Sequence, residues 1–324
     1  MGKITQVNLK TNFKDLVHKT LTDKFGDSIL PTTIDRRIET YWKTFNIIGG
    51  LELGTVIEAY GGFASGKSLL MMICGAAIQK MGGIFFCFNT EAANRDKEWL
   101  TRIIPDLKYN EIVFYQPESI EHVFESIREI IKVTPVKGVP VFIGIDSISS
   151  SSSKHEIEVG LEKSDMTRAL KISAGLRLIN NPLSKKPMVV FMTSQMSTKI
   201  TRFGGYAGPT GGMSPEFYSS LVVRLSKNEY IVEKIGKREK TLGRNCTLEI
   251  MKGRFSPAGR KVEFECFNDT GISSNAGLLD LLILNRVITQ DKAWLEYKDK
   301  KFQKCDFEKF IKENPELARI KRVD

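Results

Sequence analysis

The feature that most constrains this chain is the octapeptide Gly61-Gly62-Phe63-Ala64-Ser65-Gly66-Lys67-Ser68, followed by Leu69. It has the form G-x4-G-K-[ST]. It lies between an apolar strand pattern, VIEAY at 56–60, and an apolar helical pattern, SLLMMICGAAIQKM. A loop of this kind turns its backbone N–H groups around an anion at a helix N-terminus, where the helix dipole also favours negative charge. In that context Lys67 reaches the β and γ phosphates of a nucleotide and Ser68 ligates Mg²⁺. Gly61 to Leu69 is therefore the candidate nucleotide cradle, with ATP and Mg²⁺ as the expected cofactors.

The flanking pattern extends this to a fold class. From about residue 47 to 270, short apolar runs alternate with helical patterns. IFFCFNT (84–90), EIVFYQ, VPVFIGIDS (139–147) and PMVVFMTSQ (187–195) read as strands; SIEHVFESIREIIK and the stretch from about 163 to 179 read as helices. Strands that are apolar throughout are buried on both faces, so the pattern predicts an α/β fold with a mostly parallel central sheet and helices on both sides. SSLVVRLS, CTLEIMKG and KVEFECF, joined by polar turns, predict an antiparallel extension of that sheet. The expected organisation is a core at 46–272, preceded at 1–45 by one amphipathic helix (Phe13, Leu16, Val17, Thr20, Leu21 and Phe25) and a linker. A small C-terminal α/β domain at 273–324 follows, its hairpin KAWLEYKDKKFQ and terminal helix held by Trp294, Tyr297, Phe307 and Phe310.

Three further strand ends carry chemistry. Asp146 ends the apolar run of VFIGIDS, where a carboxylate holds the metal's water shell. Glu91 follows IFFCFNT; by spacing alone it is either a base that polarises attacking water or a first-turn helix carboxylate with Thr90 as cap. Gln195 ends PMVVFMTSQ and opens a long glycine-rich loop, MSTKITRFGGYAGPTGGMSP. Lys199, Arg202, Phe203 and Tyr206 lie in it, with no acid before Glu216. Cations with aromatics suit single-stranded nucleic acid, which offers phosphates and stackable bases; a plain surface loop is the alternative. Residues 226–261 are the most basic stretch, with ten Lys/Arg against four Glu, and include Lys252 and Arg254.

Composition narrows the rest. The 324 residues carry a formal charge of +10, which favours a polyanionic partner without specifying a fold. Three isolated histidines exclude a histidine metal cage or a Ser-His-Asp triad, and five scattered cysteines without a CxxC pair read as reduced thiols. The N-terminus shows no apolar signal core, and no apolar run approaches the roughly 20 residues of a membrane helix. A soluble cytoplasmic protein without membrane contact is the expectation.

Taken in order, GGLELGTVIEAYGGFASGKSLL, FFCFNTEAA, VFIGIDS, SDMTRALK, FMTSQ, GGMSPEFYSSLVVRL and EIMKGRF resemble the RecA family of homologous recombinases, from about Phe25 to the C-terminus. The DMTRA run and NAGLLDLLI are closest to phage UvsX proteins. The resemblance implies a DNA-dependent ATPase that forms head-to-tail helical filaments on single-stranded DNA and exchanges strands with homologous duplex, alongside single-strand-binding and mediator proteins. It implies Lys67 and Ser68 as the P-loop pair, Asp146 as the metal carboxylate and Glu91 as the catalytic glutamate. Gln195 becomes the γ-phosphate sensor, with DNA-binding loops near 150–162 and 196–212. Lys252 and Arg254 become cations that reach a neighbour's ATP, and Phe217 an interface aromatic. Arg95 and Glu98 fall near the family's base-contacting positions, and Trp99 is either a stacking residue for the base or a core tryptophan. The competing readings are a ring-forming RecA-fold helicase motor and a recombination mediator or paralogue that exchanges no strands.

Overall fold

The computed structural model describes residues 36–91, 96–160, 167–201, 204–209, 214–236 and 238–319, together with residues 16, 19, 20 and 23. The chain divides into two compact units, Met1–Arg36 and Arg37–Asp324. In the first, residues 16, 19, 20 and 23 are helical and Thr20 Oγ1 donates to the Leu16 carbonyl at 2.8 Å. The rest of the expected N-terminal helix lies outside the described residues.

The second unit is an α/β fold around a nine-stranded sheet. Strands β1 (Arg37–Ile38) and β2 (Leu51–Glu52) form a small antiparallel pair beside α1 (Lys43–Ile48). The main sheet contains β3 (Thr55–Gly61), β4 (Ile84–Asn89), β5 (Val113–Tyr115), β6 (Val141–Asp146), β7 (Met188–Thr201), β8 (Gly204–Pro209), β9 (Leu221–Ile235), β10 (Arg238–Gly253) and β11 (Lys261–Phe267). Its order is β11-β10-β9-β3-β7-β6-β4-β5, with β8 pairing β7 off that path. β9, β3, β7, β6, β4 and β5 run parallel, whereas β10 and β11 add antiparallel as the sequence predicts; β9, expected in that antiparallel extension, instead pairs parallel with β3.

Alternation along the central strands feeds two cores. Phe142, Val189, Phe191, Ile57 and Ala59 face one cluster, with α2 (Lys67–Lys80), α1 and α3 (Lys97–Ile103). Val141, Ile143, Ile145, Val190 and Val56 face the other. There α4 (Ile120–Val133) buries Ile120, Val123, Phe124, Ile127 and Ile131, a spacing that places all five on one face. Each such side chain contributes about 1.5–3 kcal/mol on leaving water, which makes this face the reason the helix holds. Helix α2 is buried almost all round, from Leu69 to Gln79, and so carries no polar stripe.

Three elements depart from the sequence expectation. The serine-rich segment contains α5 (Lys154–Val159), whose capping box joins Ser153 and Glu156, so it is not loop throughout. The next helix, α6, is described over Thr167–Leu183 and ends four residues later than expected. Segment 196–212 is not structureless: β7 continues to Thr201 and pairs with β8 as a hairpin.

After α7 (Ser214–Tyr218) and the β9–β11 strands, α8 (Leu278–Leu284) leads into a three-stranded sheet. That sheet is β12 (Thr289–Asp291), β13 (Trp294–Tyr297) and β14 (Lys300–Gln303), followed by α9 (Phe307–Glu313). Its apolar residues belong to the same cluster as α1 and α2. Phe302 and Phe310 stack at 3.9 Å. Trp294 does not hold this module, being 51% exposed; Leu295 and Phe302 fill that role. Cys74, Cys87, Cys246 and Cys266 are buried thiols and Cys305 an exposed one, none of them in a disulfide. Among the described residues no helix is long and apolar enough to cross a membrane.

Candidate active site

The P-loop joins the carboxyl end of β3 to α2. Gly61 lies level with Gln195 on β7 and Leu225 on β9. A side chain has no room there, since a Cβ would stand 2.1 Å from the Leu225 carbonyl oxygen and 2.7 Å from Ser65 Oγ. Gly66, at φ 96°, turns the chain through a region that costs glycine little. Helix α2 thus begins at Lys67 with no capping side chain and no acid in its first turn. Such an N-terminus stabilises a nearby anion by about 0.3–1 kcal/mol. Ser65 Oγ is buried with no hydrogen-bond partner, an orphan of the kind a phosphate oxygen satisfies.

Lys67 Nζ donates to the carbonyls of Gly61 (3.1 Å) and Gly62 (2.8 Å), folded over its own loop. Burial pushes its pKa below the usual lysine range, opposed by the carboxylates of Asp146 and Glu91.

Asp146 is 5% exposed at the end of β6, and its Oδ1 accepts from Thr193 Oγ1 at 2.6 Å. The N–H groups of Thr90 and Glu91 both donate to the Asp146 carbonyl, at 3.0 and 3.2 Å, so the exits of β4 and β6 are tied together. Glu91 Oε1 accepts from Ser147 Oγ (2.7 Å), Ser150 Oγ (3.2 Å) and Gln195 Nε2 (3.5 Å). The Gln195 N–H donates to Ser149 Oγ at 2.9 Å. One network therefore spans the ends of β4, β6 and β7. Glu91 is not a first-turn helix residue: α3 starts at Lys97, and Asp96 caps it by accepting from the Trp99 N–H. Thr90 Oγ1 donates instead to the Ser147 carbonyl at 2.6 Å.

A cleft of about 420 Å³ runs along the start of α2, from Glu91 and Asp146 to Trp99. Ala64, Ser65, Gly66, Lys67, Ser68 and Leu69 line it. Phe63 is 95% exposed and is not among its lining residues. Ser68 and Asp146 are the hard oxygen donors that suit Mg²⁺ beside a triphosphate. Trp99 lines the cleft, packs partly buried on the main core and donates through Nε1 to the Asn268 carbonyl at 2.6 Å, as the core reading expects. Arg95 lies outside the described residues. Arg244, from β10, also lines the cleft; the sequence reading passed over it, and no local motif marks it. A larger cavity, about 790 Å³, lies against β11 and the C-terminal module. Glu229, Glu263, Glu265, Asp280 and Glu308 line it, and that charge repels phosphate.

The remaining sequence candidates lie elsewhere. Lys199 and Tyr206 face each other in register on β7 and β8, whereas Arg202 and Phe203 lie outside the described residues. Lys252 Nζ donates to the carbonyls of Glu216 and Phe217, both at 2.7 Å, and sits 5.8 Å from the Phe217 ring centroid. Burial and the neighbouring Arg254 charge lower the Lys252 pKa. Arg254 follows β10 with its side chain exposed and its N–H bonded to the Ser220 carbonyl. Neither cation lines the cleft of its own chain.

This sheet, with a phosphate-type loop at the carboxyl end of a central strand and acids on the strands beside it, defines the P-loop class of α/β proteins. Within that class, the family profile of the RecA N-terminal domain matches residues 42–273, and the chain belongs to this family. Protein RecA of Ruegeria pomeroyi is 27% identical over 275 residues, covering 84% of this chain and 76% of its own. Protein RecA of Leptospira biflexa and that of Leptospira meyeri are each 28% identical over 275 residues, covering 84% of this chain and 68% of their own.

Proposed function

We propose that this protein is an ATP-dependent DNA recombinase that assembles head to tail on single-stranded DNA, pairs it with homologous duplex and exchanges strands. The observation that carries the reading is the Glu91–Gln195 contact. It joins the carboxylate beside the P-loop to the strand that continues into the β7–β8 hairpin. In this reading the α2 N-terminus and Lys67 hold the phosphates, and Glu91 accepts the proton of the attacking water. Ser68 and Asp146 would hold Mg²⁺, which would offset phosphate charge. Gln195 passes the state of the site to the β7–β8 pair on which Lys199 and Tyr206 lie, and these two, with Arg202 and Phe203, bind the DNA. Lys252 and Arg254, outside their own cleft, complete a neighbour's site in the filament, and Phe217 packs against that neighbour. An interface that repeats without closing produces such a filament. The setting is the cytoplasm, with single-strand-binding and mediator proteins as further partners.

Electron microscopy on single-stranded DNA with a slowly hydrolysed ATP analogue, run beside a strand-invasion assay, tests this. Continuous filaments that form joint molecules are expected. Closed rings would identify a helicase-type motor. DNA-bound protein that never forms a joint molecule would identify a mediator.

A further inference from the structure

Arg244 is brought to the nucleotide cleft by irregular strand pairing. It lies opposite Cys266 on β11 and Tyr230 on β9, and register shifts against β9 flank it at Thr241/Gly243 and Arg244/Cys246. Bulges of this kind re-aim side chains and recur beside sites. The same end of the β10–β11 ladder holds Trp99: the Asn268 N–H donates to the Leu242 carbonyl, and the Asn268 carbonyl accepts the Trp99 indole. Arg244 and Trp99 thus line one wall region of the cleft, with the phosphate-loop residues Lys67 and Ser68 elsewhere along it.

The guanidinium is incompletely satisfied by the protein. Its Nε is buried with no hydrogen-bond partner. Among the described residues its remaining donors meet only the thiols of Cys246 and Cys266, weak acceptors that burial keeps neutral, Cys246 being pushed up to about 11. None of the ion pairs among the described residues involves Arg244, although Asp96 lines the same cleft. A buried or half-buried arginine without a carboxylate is costly unless a ligand completes it.

We infer that Arg244 is a specificity-determining residue that grips the nucleoside end of the bound nucleotide, its planar cation stacking on the purine ring and donating to ring or ribose acceptors. The inference rests on the nucleotide reading above and adds a residue to it. Arginine suits the role because its face stacks on aromatic rings while its edge offers donors alone.

Calorimetric titration with Mg-ATPγS and, separately, with inorganic tripolyphosphate tests it, on the wild-type protein and on Arg244→Gln, Arg244→Lys and Lys67→Ala. Arg244→Gln is expected to weaken ATPγS binding about tenfold, with Arg244→Lys recovering part of it. Tripolyphosphate has no base, so its affinity holds in Arg244→Gln, which also shows that the variant is folded. Lys67→Ala loses both ligands. Unchanged ATPγS binding in Arg244→Gln overturns the inference and leaves the nucleotide reading intact. Equal loss of both probes also overturns it, because Arg244 then acts on the phosphates by charge. A wild-type protein that binds neither probe removes the nucleotide reading and this inference together.

Discussion

Lys67 donates to the Gly61 and Gly62 carbonyls, so a phosphate oxygen competes with two backbone acceptors for the same ammonium. The ammonium is also easier to neutralise than an ordinary lysine, because burial disfavours its charged form. Raising the pH therefore removes the charge, and with it nucleotide affinity, before an exposed lysine would titrate. Titrations of Mg-ATPγS at increasing pH should show affinity falling on the alkaline side below the usual lysine pKa, and Lys67→Arg should move that fall out of range. Glu91 makes a second prediction. Glu91→Gln keeps the shape of the network around Ser147 and Gln195 but cannot accept a proton, so it should bind nucleotide and lose about 10²–10⁴-fold in turnover. Normal steady-state hydrolysis in that variant would remove Glu91 from the base role. Lys67, Ser68 and Asp146 are legible in the sequence because their chemistry is local: a loop, a helix start and a strand end. Arg244 is not, because it comes to the cleft through pairing of β9, β10 and β11 with two register shifts, which nothing near residue 244 announces.

Among the elements, the parallel strands are the most legible, since a run such as VFIGID buried on both faces has few other places to go. Helix α2 packs on this sheet through a small residue. A Cβ on Gly75 would stand 2.3 Å from the Phe85 ring, and Phe85 is itself fully buried. Gly75→Ala should therefore lower stability by about 1–3 kcal/mol, measured as a drop in the denaturant midpoint. A midpoint equal to wild type would mean that Phe85 has room to move. The β7–β8 hairpin is the element least visible beforehand. Its glycines hide the alternation that marks a strand, and the pairing of residues 196–201 with 204–209 comes from backbone hydrogen bonding that composition does not encode. The α5 helix was concealed in the same way, its Ser153–Glu156 capping box sitting inside a run of serines that reads as loop.

For the whole molecule, the filament proposed above requires a surface that meets another copy. Phe217 is 68% exposed on α7, a helix of only five residues whose last carbonyls are held by Lys252. That tether gives an exposed aromatic a fixed position, which a loop would not. Phe217→Ala should change folding stability by no more than about 0.5 kcal/mol. It should shorten or abolish filaments on single-stranded DNA, read by sedimentation and microscopy; wild-type filaments would take Phe217 out of the interface. The division of labour is also physical. Lys67, Glu91 and Asp146 line one chain's cleft, while Lys252 and Arg254 do not.

The fold also distributes three tryptophans so that each occupies a different environment. Trp42 is completely buried against Phe45 and Phe264, Trp99 forms part of the cleft wall, and Trp294 is half exposed on the C-terminal module. The molecule consequently carries its own set of optical reporters. Emission from Trp42 tracks global unfolding, quenching of Trp99 tracks occupation of the cleft, and the red-shifted indole of Trp294 tracks whatever covers the module. Replacing any two with phenylalanine isolates the third, and loading, unfolding and docking become three separate colours of one spectrum.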